Sequence, residues 1–328
     1  MRDTILYDSA LRLFGDHVTP LVLAAAETGE WPAALWRAAD EAGYLDVLVG
    51  GTDSMVEAVA ILRAAGHHAA PIPLPETMLA RWLCALGGIE PPTGPLSIAL
   101  AEAEGRARYG PVPWGRAAEA VAVIDGSSLR VSGGERLRLQ PGASLAGEPR
   151  DVLTAMDEVR PAPLPNAVSA DTVRGVGALL RAAQMAGAME AALDLATTYA
   201  NDRVQFGRPI GKFQAIQQQL ALLAEEAAAA LVAVESAAVS VAEQRSSAAF
   251  AIPAAKIRAG EAAGAVAEIA HQVHGAIGFT EEHSLHYLTR RLWSWRDEFG
   301  DEAYWAGILG RRIAASGGAG LWLLITQP

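Results

Sequence analysis

The chain has 328 residues, more than one typical domain but still compatible with a single body of two or three subdomains. Its formal charge of −11 excludes a nucleic-acid-binding face, which needs basic surface to neutralise phosphates, yet a local basic pocket for an acidic small molecule can coexist with it. The one cysteine, Cys84, excludes an intramolecular disulfide framework and a cysteine-built zinc site, while 51% apolar residues suffice for a large core.

Met1–Ser9 contains Arg2, Asp3 and Asp8 with no apolar run behind them, so no secretory signal is expected. No apolar stretch reaches the roughly 20 residues of a membrane span. The expectation is a soluble cytoplasmic protein with neither a membrane nor a nucleic acid as partner. Heavy alanine use points to long helices whose backbones approach closely.

Residues 1–92 read as helices broken by Gly and Pro. Leu35, Trp36, Ala39 and the Ala58–Leu62 run have helical spacing, and Pro71, Pro73, Pro75, Pro91 and Pro92 punctuate it. Residues 93–168 change to short strand-like runs at Leu96–Leu100, Ala120–Ile124, Leu129–Val131 and Val152–Met156, with turn signals Asp125-Gly126 and Gly133-Gly134 between them. The prolines Pro161, Pro163 and Pro165 read as a linker.

Residues 169–328 read as helical almost throughout. Val173, Val176, Leu180, Ala183, Gly187 and Glu190 recur at helical intervals, with only the last polar. Ile216, Leu220, Leu223, Ala227, Leu231, Val234, Ala238 and Val241 mark a second helix by steps of three and four. A third spans Ala254 to His274. A fourth is expected after Thr280 as N-cap, with Glu281 and Glu282 in its first turn. The tail Leu321–Ile325 is too short to span a membrane and reads as a docking strand or a frayed end. The predicted fold class is α+β, mainly α: an N-terminal helical domain, a small middle β domain and a C-terminal four-helix bundle.

Two segments carry chemistry. The first is Arg203-Val204-Gln205-Phe206-Gly207-Arg208-Pro209-Ile210-Gly211-Lys212-Phe213-Gln214, and the second is Gln272-Val273-His274-Gly275-Ala276-Ile277-Gly278-Phe279. In the first, Arg203 ends a helix, Gly207–Gly211 turns the chain by way of Pro209, and Phe213 and Gln214 open the next helix. The free N–H groups of that first turn favour an anion, and a guanidinium facing them makes a pyrophosphate clamp. In the second, Gly275 and Gly278 remove side chains where a backbone approaches a phosphate or a ring. Gly275 and Gly278 also suit a helix C-cap, and Phe206 and Phe213 also suit plain core packing.

Both segments, in this order and a helical hairpin apart, resemble motifs of the acyl-CoA dehydrogenase family, as does the three-part architecture. The likeness is detailed over residues 170–300 and holds in outline elsewhere. It implies that Arg203, Phe206, Phe213, Gln214, Gln272, Gly275 and Gly278 bind FAD, chiefly the adenosine and pyrophosphate of a flavin seated in a neighbouring subunit.

That chemistry takes an α-proton while hydride leaves the β-carbon, so a positioned carboxylate acts as base. The family's Tyr-Glu-Gly-Thr-like loop corresponds here to Glu298-Phe299-Gly300-Asp301, with Phe299 in the glutamate's place. The alternative base position, on the helix before Arg203, falls on Gly177. The family's Thr-Glu-x-x-x-Gly-Ser-Asp-like loop corresponds to Ala99-Leu100-Ala101-Glu102-Ala103-Glu104-Gly105-Arg106, without its hydroxyls, and Trp114 lies in a Pro-Trp-Gly turn instead of a flavin-facing strand. The chain thus keeps groups lent to a neighbour's flavin and lacks those that hold its own. This resembles the non-catalytic subunit of heteromeric (α2β2) actinobacterial acyl-CoA dehydrogenases, which act on bulky CoA thioesters such as steroid side chains. The implied partners are an acyl-CoA substrate and a second dehydrogenase-like subunit, or self-association as a dimer or tetramer.

Two rival readings stay open. One is a self-sufficient flavoenzyme, either with Glu298 as a relocated base or related to monooxygenases that need none. The other is a non-enzymatic assembly partner. His271 and His274, and His283 and His286, stand three apart, but no further ligand has metal-motif spacing, so no metal is expected. Trp293, Trp295 and Trp305 read as core or interface packing.

Overall fold

The computed structural model describes residues 5–100, 109 and 111–326. In chain order it has α1 (Ile5–His17), α2 (Pro20–Glu27), α3 (Ala33–Glu41), α4 (Met55–His67) and α5 (Leu74–Leu86), and then strands β1 (Leu96–Leu100), β2 (Pro111–Pro113), β3 (Ala120–Asp125), β4 (Ser128–Ser132), β5 (Leu137–Gln140), β6 (Arg150–Met156) and β7 (Ala162–Pro163). There follow α6 (Ala170–Asp202), a hairpin of β8 (Val204–Gln205) and β9 (Arg208–Pro209), α7 (Gln214–Ala242), α8 (Ala248–His274), α9 (Leu285–Asp297) and α10 (Glu302–Thr326). The fold is mainly helical with a small β region. Packing divides it into two compact units, one of residues 15–58 and 71–177, the other of residues up to 14, 59–70 and 178 onward.

The first unit is built on two small sheets. One has the order β1-β3-β4-β7, with β1 parallel to β3 and the other pairs antiparallel. The other has the order β2-β6-β5 and is antiparallel. Ala99, Val112, Val121, Val123, Leu137 and Leu153 pack as their core. The helices are tied in by polar groups that burial requires to be paired. Thr77 Oγ1 donates to Leu96 O at 2.7 Å, and Arg81 reaches Asp46 at 2.8 Å and Asp40 at 3.0 Å. Asp151 is fully buried and accepts from the Arg116 side chain and from the Arg116 and Gly142 backbones. Trp114 is buried with φ 53° in its Pro-Trp-Gly turn. The proline stretch expected as a linker instead contributes β7, which pairs with β4 as an edge strand, where missing N–H groups cost nothing. Ala101–Arg106, the replaced hydroxyl loop, lies outside the described residues.

In the second unit α4 and α6 cross where both carry glycine. A Cβ on Gly66 would lie 1.9 Å from Gln184 O, and one on Gly187 1.9 Å from Arg63 O, so the backbones touch only because both side chains are absent. Glu190, the lone polar member of the α6 stripe, takes Arg63 in a two-pronged pair at 2.7 Å on each arm. α7 and α8 form a helical hairpin.

Further expectations about α8, α9 and α10 need correction. α8 begins at Ala248, six residues before the expected start, with Pro253 inside it; the Ala249 carbonyl that a proline leaves unused accepts from Arg312 Nη1 at 2.5 Å. Thr280 does not cap α9. It closes the 3-10 turn Gly275–Phe279, donating to Ile277 O at 2.9 Å, and α9 starts after Ser284. The expected fourth helix is two, α9 and α10, separated at Phe299 (φ 58°) and Gly300 (φ 98°). Leu321–Ile325 belongs to α10, neither strand nor frayed end, beyond a kink at Gly317. Among the described residues no helix is long and apolar enough to cross a membrane.

Candidate functional site

Both motif segments lie in the second unit, at the end of α6 and the end of α8. Tyr199, in the last turn of α6, stacks on His274 at 4.8 Å between ring centroids and meets His283 edge-on at 6.3 Å. His274 donates its Nδ1–H to Ala270 O at 2.7 Å, which fixes the ring. This contact joins the two segments: four residues beyond Tyr199 comes Arg203, and directly after His274 comes Gly275.

Arg203 follows the last residue of α6 and is exposed, its N–H bonded to Tyr199 O at 2.9 Å. The chain then reverses through β8 and β9. The turn residues are Phe206 (φ 53°) and Gly207 (φ 78°), so the bend is a tight hairpin with both central residues left-handed, and Pro209 sits in β9 instead of making the turn. Glycine accepts that conformation freely. A phenylalanine does not. Phe206 nevertheless stands at this tip with 92% of its surface exposed, its ring edge-on to Phe213 at 6.1 Å.

A 3-10 turn, Ile210–Lys212, leads into α7. Phe213 is the N-cap of α7 and not part of its first turn; its carbonyl accepts from Ile216 and Gln217, but its side chain offers no capping acceptor, so the N–H groups of Gln214 and Ala215, which open a 29-residue helix, stay available to an outside anion. Gln214, the first helical residue, is exposed. The Arg208 guanidinium lies 4.2 Å from the Phe213 ring centroid, a cation–π contact that holds it flat. Arg203, Arg208 and Lys212 are all exposed, and among the described residues none makes an ion pair. In a chain of net charge −11 this is a local concentration of unpaired positive charge.

At the end of α8, Gln272 is exposed and Gly275 is the C-cap with φ 63°, its missing side chain opening onto free space. Gly278 is buried, and a Cβ there would come within 2.9 Å of His274 Cβ, so this glycine lets the 3-10 turn fold down on α8. Phe279 stacks on His271 at 4.5 Å and stays 74% exposed. Burial holds the imidazoles of His271, His274 and His283 below their ordinary pKa, and their mutual proximity adds to this for His271 and His283. Among the described residues no group of three or more potential ligands could hold a metal.

The structure thus sets Phe206 against Phe213 and leaves Arg203, Gln214, Gln272 and Gly275 facing outward. Tyr199, Arg208 and Lys212 were not singled out from the sequence. The two cations stand inside the first motif, where a count of basic residues would have found them.

The region where a base was sought is of opposite character. Glu298 Oε2 lies 2.6 Å from Arg181 Nη2, and the two side chains are only 10% and 2% exposed. Arg181 also bonds Gln184 and lies over the Trp295 ring at 5.6 Å. The Phe299 carbonyl accepts from Trp305 Nε1 at 3.1 Å, which pins the left-handed turn. Lys256, 1% exposed, donates to Arg296 O at 2.5 Å. Burial pulls its pKa down to about 8, opposed by Glu302 and Glu298. Arg296 in turn bonds Glu302 at 2.8 Å. Arg181, Lys256, Arg296, Glu298 and Glu302 thus all have partners inside the chain. Trp295 and Trp305 are buried core residues, while Trp293 is 40% exposed.

Residues 171–314 match the family model of the acyl-CoA dehydrogenase C-terminal domain. The chain is 29% identical over 303 residues to the acyl-CoA dehydrogenase IpdE2 of Mycolicibacterium smegmatis, covering 88% of this chain and 91% of that protein. Among solved structures, the Tcur3481-Tcur3483 steroid ACAD (G363A variant) is similar with a TM-score of 0.81 and 25% identity, covering 95% of this chain and 97% of that one. The ChsE4-ChsE5 complex from Mycobacterium tuberculosis shares the fold, with a TM-score of 0.78 and 23% identity, covering 97% of this chain and 100% of that one.

Proposed function

We propose that this chain, whose residues 171–314 match the acyl-CoA dehydrogenase C-terminal domain and which is similar along most of its length to an acyl-CoA dehydrogenase, is the subunit that grips the nucleotide half of a FAD whose reactive ring and catalytic carboxylate belong to a second dehydrogenase subunit. Bound FAD supplies the hydride acceptor for α,β-dehydrogenation of an acyl-CoA thioester. This chain's part is to bind and orient. Arg203, with the free N–H groups at the start of α7, faces the pyrophosphate. Phe206 and Phe213 present rings toward the adenosine, and Gln214, Gln272, Gly275 and Gly278 form the rest of the cradle.

The observation that carries the reading is the unpaired, outward-facing charge around an uncapped helix N-terminus, beside an aromatic side chain held in a left-handed turn. Cations with no internal partner suit a dianionic linker outside the chain. The commitment of Glu298 supports the division of labour: by the motif correspondence Phe299 stands where the family has its base, and the neighbouring Glu298 is paired with Arg181. Freeing Glu298 for proton transfer would strand a buried guanidinium, which counts against a self-sufficient enzyme. The likeness to a steroid ACAD named for two components supports both a heteromer and a bulky acyl group.

The test is Arg203→Ala in the complex with a glutamate-bearing acyl-CoA dehydrogenase subunit. Loss of one charge-assisted contact worth roughly 1.5–3 kcal/mol is expected to weaken flavin retention about ten- to a hundredfold. Flavin occupancy equal to wild type would contradict the cofactor role and favour a purely structural partner.

A further inference from the structure

The two flavin-gripping segments extend separate helices, so their spacing needs a fixture. The hairpin continues α6, and the Gly275–Phe279 turn continues α8. Their outward residues Arg203, Gln214, Gln272 and Gly275 are exposed, and none bonds across from one segment to the other. Beneath them lies a joint of rings. Tyr199, one turn before Arg203 on α6, lies over His274 with centroids 4.8 Å and planes 26° apart, a near-parallel stack of the kind that attracts. His274 is 2% exposed. It is also packed by Gly278, where a Cβ would stand 2.9 Å from the His274 Cβ, and by His283, whose ring meets it edge-on at 4.5 Å.

We propose that Tyr199 and His274 are positioning residues for the flavin: their stack sets the distance and angle between the hairpin and the Gly275–Phe279 turn, so that both segments meet the dinucleotide together. The proposal rests on the two-subunit reading above. Neither ring is offered to the nucleotide, since His274 is buried and Tyr199 is half-buried against it.

The joint needs a neutral His274. Its Nδ1–H is donated to Ala270 O at 2.7 Å, so Nε2 carries the lone pair, and that atom is buried with no hydrogen-bond partner. A proton arriving there makes a buried cation without an acceptor. The surroundings supply no counter-charge. Tyr199 comes from α6, His271 from α8, His283 from the connecting turn and His286 from α9. The carboxylates nearest in sequence, Asp202, Glu268, Glu281 and Glu282, are exposed, as is Arg203. Burial accordingly lowers the pKa of His274, as it does for His271 and His283. The closed joint keeps its full stability above the ordinary value of about 6.5 and loses it as pH falls below that.

The experiment measures FAD dissociation, across pH, from the complex with a glutamate-bearing acyl-CoA dehydrogenase subunit. Tyr199→Leu fills the space without a ring and is expected to weaken FAD binding roughly two- to tenfold, the effect of losing an aromatic pair. Tyr199→Phe should restore it. His274→Phe keeps a ring in the stack and removes the proton, so it should hold FAD at neutral pH and abolish the wild type's weakening below about pH 6.5. A Tyr199→Leu complex that binds FAD like the wild type, while Arg203→Ala loses it, overturns the joint and leaves the two-subunit reading intact. If Arg203→Ala also retains FAD, that reading fails and the joint with it. Tyr199→Phe as weak as Tyr199→Leu overturns the proposal too, because the ring is then not the agent. If Tyr199→Leu prevents assembly, the pH profile decides: flattened by His274→Phe it supports the joint, unchanged it refutes it.

Discussion

The hairpin after α6 and the connection between α9 and α10 are built from similar pieces and put them to opposite uses. Each holds a phenylalanine in the left-handed region followed by a glycine, Phe206-Gly207 in one and Phe299-Gly300 in the other. Around Phe299 the buried charges are answered within the chain: Arg181 by Glu298, Arg296 by Glu302, and Lys256 by the Arg296 carbonyl. Around Phe206, Arg203, Arg208 and Lys212 are left unanswered. A strained turn pinned by a hydrogen bond, such as Phe299 O to Trp305, serves the chain's own stability. One that displays an exposed ring among unpaired cations serves something outside it.

Breaking the closed region has the largest expected effect. Arg181→Met leaves Glu298 buried without its partner and is expected to cost about 3–5 kcal/mol, read as a lower urea midpoint. The double variant Arg181→Met/Glu298→Leu should recover most of that loss. If the single variant denatures with the wild type, the pair is not what holds the turn.

Lys256 sharpens the contrast through pH. Its folded pKa of about 8 lies below the ordinary 10.5, so between these values the unfolded chain holds a proton that the folded chain does not. Stability therefore rises with pH across that window, by about 3 kcal/mol in all. Denaturation at a series of pH values reads the slope, and Lys256→Met should remove it. A slope that survives the substitution assigns the linkage to another group.

The open region should respond in the opposite sense to the closed one. Phe206→Gly relieves the left-handed strain and is expected to stabilise the isolated chain by about 1 kcal/mol, while lowering flavin retention in the complex. A destabilised free chain would show that the ring supports the fold after all. The smallest effect belongs to the histidines under the second motif. Because burial lowers the pKa of His271, His274 and His283 in the fold, the unfolded chain takes protons first. Stability then falls as pH drops below their ordinary value of 6.5. His283→Phe should flatten that acid limb, and an unchanged limb would place the acid sensitivity elsewhere.

The long helices were legible because periodicity survives in any context: the stripe from Val173 to Glu190 reads directly as one face of α6. Even there the sequence conceals why Gly187 must be glycine, which only the Arg63 carbonyl of α4 explains. The strands β2, β5 and β7 were missed. At two to four residues they carry no alternation, and prolines mark two of them as turn or linker. The start of α8 was misplaced because Pro253 looks like a boundary, and only Arg312 of α10 makes its interior position tolerable. Thr280 has the chemistry of an N-cap but sits where Gly275–Phe279 has not yet finished turning. At the site, motif spacing located the cofactor candidates, but spacing cannot say which charges are paired. Glu298 read as a free carboxylate until its neighbour on α6 was known.

The central claim is tested most directly by flavin absorbance per polypeptide, measured on the chain purified alone and on the chain purified with a glutamate-bearing acyl-CoA dehydrogenase subunit. The account predicts no bound FAD and no acyl-CoA oxidation for the chain alone, and one FAD for each pair of unlike subunits in an active complex. A chain that by itself retains a full equivalent of FAD and dehydrogenates an acyl-CoA would contradict it.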